Sequence, residues 1–169
     1  PVLSGPTSAD RNKRVYASFM KRYSGFKLLI VDDHEHNLFT LRSLVQQQMD
    51  VEILEATSGQ GALDIALKEP GIDLIILDVQ MPEMNGFEAA SEIRRREENT
   101  GRHIPIVAMT ALAMQGDRER CLEAGMDDKD VRGKVKSRLK GFEQEALARE
   151  CLKLIEEKEY QEDEKTLQE

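Results

Sequence analysis

The run Lys27-Leu28-Leu29-Ile30-Val31-Asp32-Asp33 decides how this chain reads. A leucine-rich, β-branched stretch without polar alternation is what a central strand of a parallel sheet looks like, because helices cover both of its faces. It stops on two carboxylates. A second run of the same kind, Leu74-Ile75-Ile76-Leu77, stops on Asp78. Ligands of such sheets bind outside the carboxyl ends of the strands, so Asp32, Asp33 and Asp78 are expected to converge on one small site. Three anions held that close require either a protonated member or a cation among them. A hard, oxygen-seeking Mg²⁺ is the natural candidate.

Working outward, Leu38, Leu41, Leu44 and Val45 recur at helical spacing and predict a helix over 37–48. Val51 to Leu54 reads as a second strand, and Ser58 as the cap of a helix carrying Ala62, Leu63, Ile65, Ala66 and Leu67. Pro70-Gly71 ends it. After the strand that stops at Asp78 come a loop over 81–86, a helix over 87–97, a strand over 104–109 and a helix over 117–124 stopped by Gly125. Pro105 is tolerable only near the start of its strand. Strands alternating with helices at this interval predict right-handed βαβ units, hence an α/β fold with a doubly wound parallel sheet.

Composition narrows the function classes. The chain has 169 residues, enough for one domain with flanking segments, and a net charge of -8, which argues against nucleic acid or anionic membrane as partners of this piece. Cys121 and Cys151 are too few and too isolated for a disulfide framework or a zinc site, which points to a reducing, cytoplasmic setting. No apolar stretch approaches the roughly 20 residues that cross a bilayer. Residues 1–25 mix Pro, Gly, Ser and basic residues and read as a linker; 26–140 read as the domain, and 141–169 as a charged, helical extension. Two histidines at i and i+2 do not share a helix face, so His34 and His36 are expected at the surface, as is His103.

Taken together, Asp32-Asp33, Asp78, Met81-Pro82-Glu83-Met84-Asn85-Gly86 and Thr110-Ala111 all fall at the tips of consecutive strands, in order. In these motifs, over roughly 27–128, the sequence resembles the receiver domains of two-component response regulators, especially those attached to hybrid histidine kinases. The resemblance implies a flavodoxin-like sheet of order 2-1-3-4-5. It implies Asp78 as phosphoacceptor, attacking a phosphoryl group carried on a histidine of a kinase or a histidine phosphotransfer protein. Asp32, Asp33, Asp78 and the backbone carbonyl of Gln80 would hold the Mg²⁺, with Asp32 acting mainly through water. Thr110 matches the switch hydroxyl that turns toward the phosphoryl group, and Ala111 the small neighbour that leaves it room. Met81-Pro82 and Gly86 are expected to shape the loop after Asp78, Pro by fixing one dihedral and Gly by permitting unusual ones. Such a domain is a switch that phosphorylates and dephosphorylates itself rather than an enzyme acting on a separate substrate.

The chain departs from the family after Asp128. A fifth strand ending in Lys-Pro is the family pattern, and its lysine pairs with the phosphoryl group. Here Lys129-Asp130-Val131-Arg132-Gly133-Lys134-Val135 follows, with no apolar run and no Lys-Pro. The fifth strand is therefore expected to be missing or disrupted, with 131–139 as the fifth helix, and the lysine role falls to no residue. Three readings stay open at this point: a phosphoacceptor receiver, an inert pseudo-receiver serving as an interaction or dimerisation module, and the receiver segment of a hybrid kinase. A helix from Val135 onward would pass the signal on or pair two copies as a homodimer.

Overall fold

The computed structural model describes residues 24–109 and 117–127, together with Glu150, Cys151 and Lys153. The chain alternates β1 (Lys27–Val31), α1 (Glu35–Gln48), β2 (Glu52–Ala56), α2 (Gly59–Lys68), β3 (Leu74–Asp78), α3 (Gly86–Glu97), β4 (Ile106–Met109) and α4 (Asp117–Glu123). All pairings are parallel, in the order β2-β1-β3-β4. This is the doubly wound, flavodoxin-like arrangement.

Because side chains alternate along a strand, the apolar runs feed two cores. Leu29, Val31, Ile75, Leu77, Ile106 and Ala108 pack on one face against Ala62, Leu63 and Ala66 of α2 and Ala89, Ala90 and Ile93 of α3. Leu28, Ile30, Leu74, Ile76, Val107 and Met109 pack on the other against Leu38, Leu41 and Val45 of α1. Each fully buried Leu or Ile contributes about 1.5–3 kcal/mol, so the two runs that end on carboxylates also anchor the fold.

Several boundaries move from their expected places. β2 starts at Glu52 rather than Val51 and runs on to Ala56, because Lys27 to Val31 pair residue by residue with Glu52 to Ala56. β4 starts at Ile106; Ile104 and Pro105 precede it, and Pro105 still supplies its carbonyl to Ile75 N at 2.9 Å. α1 begins two residues early, at Glu35, after His34 in an extended conformation. The Ser58 cap is as expected, its hydroxyl accepting from Gly61 N at 3.0 Å.

Among the described residues the sheet has four strands, and Asp127 adds one isolated parallel bridge to Val107. The 129–135 stretch and the helix expected over 131–139 lie outside the described residues. Cys151 belongs to the α1-side core and is 1% exposed. The core thus crosses the boundary expected at residue 140, because the apolar face of β1, β3 and β4 is covered in part from beyond it. No helix among the described residues is long and apolar enough to cross a membrane.

Candidate functional site

Register brings the carboxylates together. Val31 pairs with Leu77 across β1 and β3, so one further step along each strand carries Asp32 and Asp78 to the same level at the carboxyl edge. Asp32 is nearly buried, its side chain 4% exposed. Two donors hold it: His34 N to Oδ1 at 2.8 Å and Asn37 Nδ2 to Oδ2 at 3.1 Å. The first turn of α1 is thus tied to the tip of β1. Asp33 is half-buried, and its Oδ1 is enclosed yet accepts no hydrogen bond.

Asp78 ends β3 and accepts a hydrogen bond from Gln80 N at 3.0 Å on Oδ1. Burial raises its pKa from 3.8 to about 6; the Gln80 N–H opposes that rise, and the charges of Asp32 and Asp33 add to it. A carboxylate in this state holds its electron pair less firmly solvated than one in water. Desolvation plus two neighbouring anions is the setting in which functional groups are found.

Ligand atoms of Asp32, Asp33 and His34 all lie within 4.8 Å of one another. The two carboxylates offer the hard oxygen donors that a divalent ion takes. The unsatisfied, enclosed Asp33 Oδ1 is the kind of atom a hard cation completes, so the residues fit a divalent ion. Asp78 is coupled to the pair electrostatically but is not among the atoms within that 4.8 Å spread. His34 is as exposed as expected, at 70%, yet its Nδ1 stands 3.0 Å from Asp33 Oδ1 and 3.5 Å from Asp32 Oδ1. His36 is exposed. His103 is not a free surface residue: its ring Nε2 lies 3.1 Å from Oδ1 of the fully buried Asp127 carboxylate. His34 thus keeps its expected surface position while its ring pairs with its sequence neighbour Asp33.

The loop after Asp78 is built differently from its expected form. The residue with positive φ is Glu83, at 66°, not Gly86. Gly86 is needed for space, since a Cβ there would press on the Asp78 carbonyl oxygen and stand 2.8 Å from Val79 Cα. Asn85 then caps α3 in a capping box with Glu88, each backbone N–H taken up by the other's side chain. A matching constraint comes from α2, where a Cβ on Gly59 would stand 2.5 Å from the Met84 carbonyl oxygen. Gln80 is exposed. β4 ends with Met109 paired to Asp78, and Thr110 and Ala111, the expected switch residues, lie outside the described residues.

The family model of the response regulator receiver domain matches residues 28–129. Hybrid signal transduction histidine kinase I of Dictyostelium discoideum is 42% identical over 106 residues, covering 60% of this chain and 6% of that protein. This chain therefore corresponds to a small part of that relative. Among solved structures, the receiver domain of the histidine kinase CKI1 from Arabidopsis thaliana, complexed with Mg²⁺ and BeF₃⁻, matches with TM-score 0.59 and 27% identity over 69% of this chain and 89% of that one. The co-crystal of the Saccharomyces cerevisiae histidine phosphotransfer protein Ypd1 with the receiver domain of Ssk1 matches with TM-score 0.55 and 35% identity, over 61% and 75% of the two chains.

Proposed function

This chain belongs to the response regulator receiver family, and from that premise we propose that Asp78 is the phosphoacceptor of a two-component phosphorelay. One Asp78 carboxylate oxygen attacks the phosphorus of a phosphohistidine. The P–N bond breaks, its electron pair returns to the donor imidazole, which takes up a proton, and an acyl phosphate forms on Asp78. The observation that carries this reading is the state of Asp78: half-buried at a strand tip, beside Asp32 and Asp33, with its pKa raised to about 6.

Asp32, Asp33, Asp78 and the Gln80 carbonyl would hold Mg²⁺, which when bound would neutralise the charge that carboxylates and phosphoryl oxygens bring together. The chain's own residues do the positioning. Gln80 N fixes one Asp78 oxygen and leaves the other to react, while His34 N and Asn37 orient Asp32. Thr110 is the switch hydroxyl in this reading, and Ala111 leaves room for the phosphoryl group. A histidine kinase or a histidine phosphotransfer protein supplies the phosphoryl group, and the similarity to a receiver crystallised with Ypd1 supports that donor class. Similarity to one segment of a hybrid kinase supports a place in the cytoplasmic part of a larger signalling protein, with 141–169 passing the signal on or pairing two copies.

The 129–135 stretch, which lacks Lys-Pro, favours a second reading in which the domain is an inert interaction module. Beryllofluoride separates the two. With Mg²⁺ present, fluorine NMR is expected to give protein-bound fluoride resonances that vanish in Asp78→Asn; a wild-type spectrum without them establishes the inert module instead.

A further inference from the structure

The imidazole of the histidine that follows the acidic pair has no part in the phosphoryl transfer proposed for Asp78, yet it lies beside both carboxylates. His34 Nδ1 stands 3.0 Å from Asp33 Oδ1 and 3.5 Å from Asp32 Oδ1, and Asp33 Oδ1 is enclosed without accepting a hydrogen bond. Two electron-rich atoms at such a distance attract one another only with a proton or a cation between them. Nor is the ring there by chance of a long side chain. The His34 backbone N–H donates to Asp32 Oδ1 at 2.8 Å, which fixes the residue at the mouth of the site before its side chain is considered.

Resting on the divalent-cation site of the proposed function, we infer that His34 is a nitrogen ligand of that site and gives it an affinity for first-row transition ions beyond an all-oxygen site. Asp32, Asp33 and His34 offer ligand atoms that lie within 4.8 Å of one another. Carboxylate, carbonyl and water donors suit Mg²⁺, whereas imidazole suits Ni²⁺, Zn²⁺ and Cu²⁺. The ring is 70% exposed, so it reaches an ion arriving from solvent without opening the fold. Asp32, Asp33 and the exposed His34 imidazole would together hold such an ion.

The test uses the whole chain and reads the metal rather than phosphorylation. Calorimetric titration of wild type, His34→Ala, His36→Ala and Asp33→Ala with Mg²⁺ and with Ni²⁺ measures the preference, and pulsed EPR of bound Mn²⁺ reads nitrogen coupling directly. His34→Ala is expected to weaken Ni²⁺ roughly tenfold or more and to move Mg²⁺ by less than about twofold. The wild-type Mn²⁺ spectrum should carry imidazole nitrogen coupling that survives His36→Ala and disappears in His34→Ala. Mn²⁺ bound without nitrogen coupling, coupling lost with His36 instead, or equal weakening of Ni²⁺ and Mg²⁺ overturns the inference while leaving the acidic site intact. Failure of both ions to bind wild type, or binding undiminished in Asp33→Ala, overturns the acidic site itself and this inference with it.

Discussion

The Arg94 guanidinium meets the buried Asp127 carboxylate at 3.0 Å, Nη2 to Oδ2, and so fastens the end of α3 to the segment that follows α4. Both residues make further bonds. Arg94 also donates to the Gly125 carbonyl at 2.7 Å, the Ile104 carbonyl at 2.9 Å and Glu97 at 2.6 Å, while Ile106 N reaches Asp127 Oδ2 at 2.9 Å. Asp127 thereby lies against the outer edge of β4, bridged to Val107, where a fifth strand would begin.

Removing one member of such a buried pair leaves the other desolvated with only its secondary partner, Glu97 for Arg94 and His103 for Asp127, at a cost of about 3–5 kcal/mol. Arg94→Ala and Asp127→Ala should each lose at least the lower figure in urea denaturation. The double variant should lose much less than the sum, as expected of groups that share one network.

At Gly86 the constraint is spatial, because a Cβ there meets the Asp78 carbonyl oxygen and Val79 Cα. Gly86→Ala should cost about 1–3 kcal/mol, as overpacking does. It should also slow phosphoryl uptake by Asp78, because the displaced backbone is the one that carries the acceptor. Denaturation and a phosphorylation time course, run side by side, check both expectations.

Asp78 gives a pH signature in metal-free protein. Its folded pKa, raised by burial to about 6, exceeds the ordinary 3.8, so between those values the folded state binds more protons than the unfolded state. Stability from this group is therefore lost as pH rises through about 6 and is not regained above it. With a chelator present, Asp78→Asn should be the more stable protein near pH 7.5 by about 1 kcal/mol, allowing for the group's partial exposure. The gap should close near pH 4, where the carboxyl is protonated in the folded protein. Thermal melts at the two pH values decide it.

Cys151 sits in the core facing α1, where burial pushes its thiol up to about 12. Iodoacetamide at mildly alkaline pH should leave Cys151 unmodified in the native chain and label it in urea, because the thiolate is the nucleophile. Rapid native labelling would mean that Cys151 does not cover the sheet.

The sheet and the position of the site were legible because apolar runs closing on carboxylates encode both at once: period and burial in the run, chemistry at its tip. Asp32, Asp33 and Asp78 lie at adjoining strand ends for that reason. The Arg94–Asp127 network was not legible, since 33 positions separate two residues that each read as surface charge. Glu83's left-handed backbone left no mark either, because glycine is the residue that usually signals that conformation. His34 stands at the surface as the sequence indicates, and its turn back onto the two strand-end carboxylates was readable in principle from its place directly after them.

That Asp78 accepts a phosphoryl group is tested most directly by intact-mass spectrometry after incubation with Mg²⁺ and an acyl phosphate donor. Wild type should gain the mass of one phosphoryl group, sensitive to hydroxylamine, and Asp78→Asn should gain none. An unmodified wild type, or a gain that persists in Asp78→Asn, contradicts it.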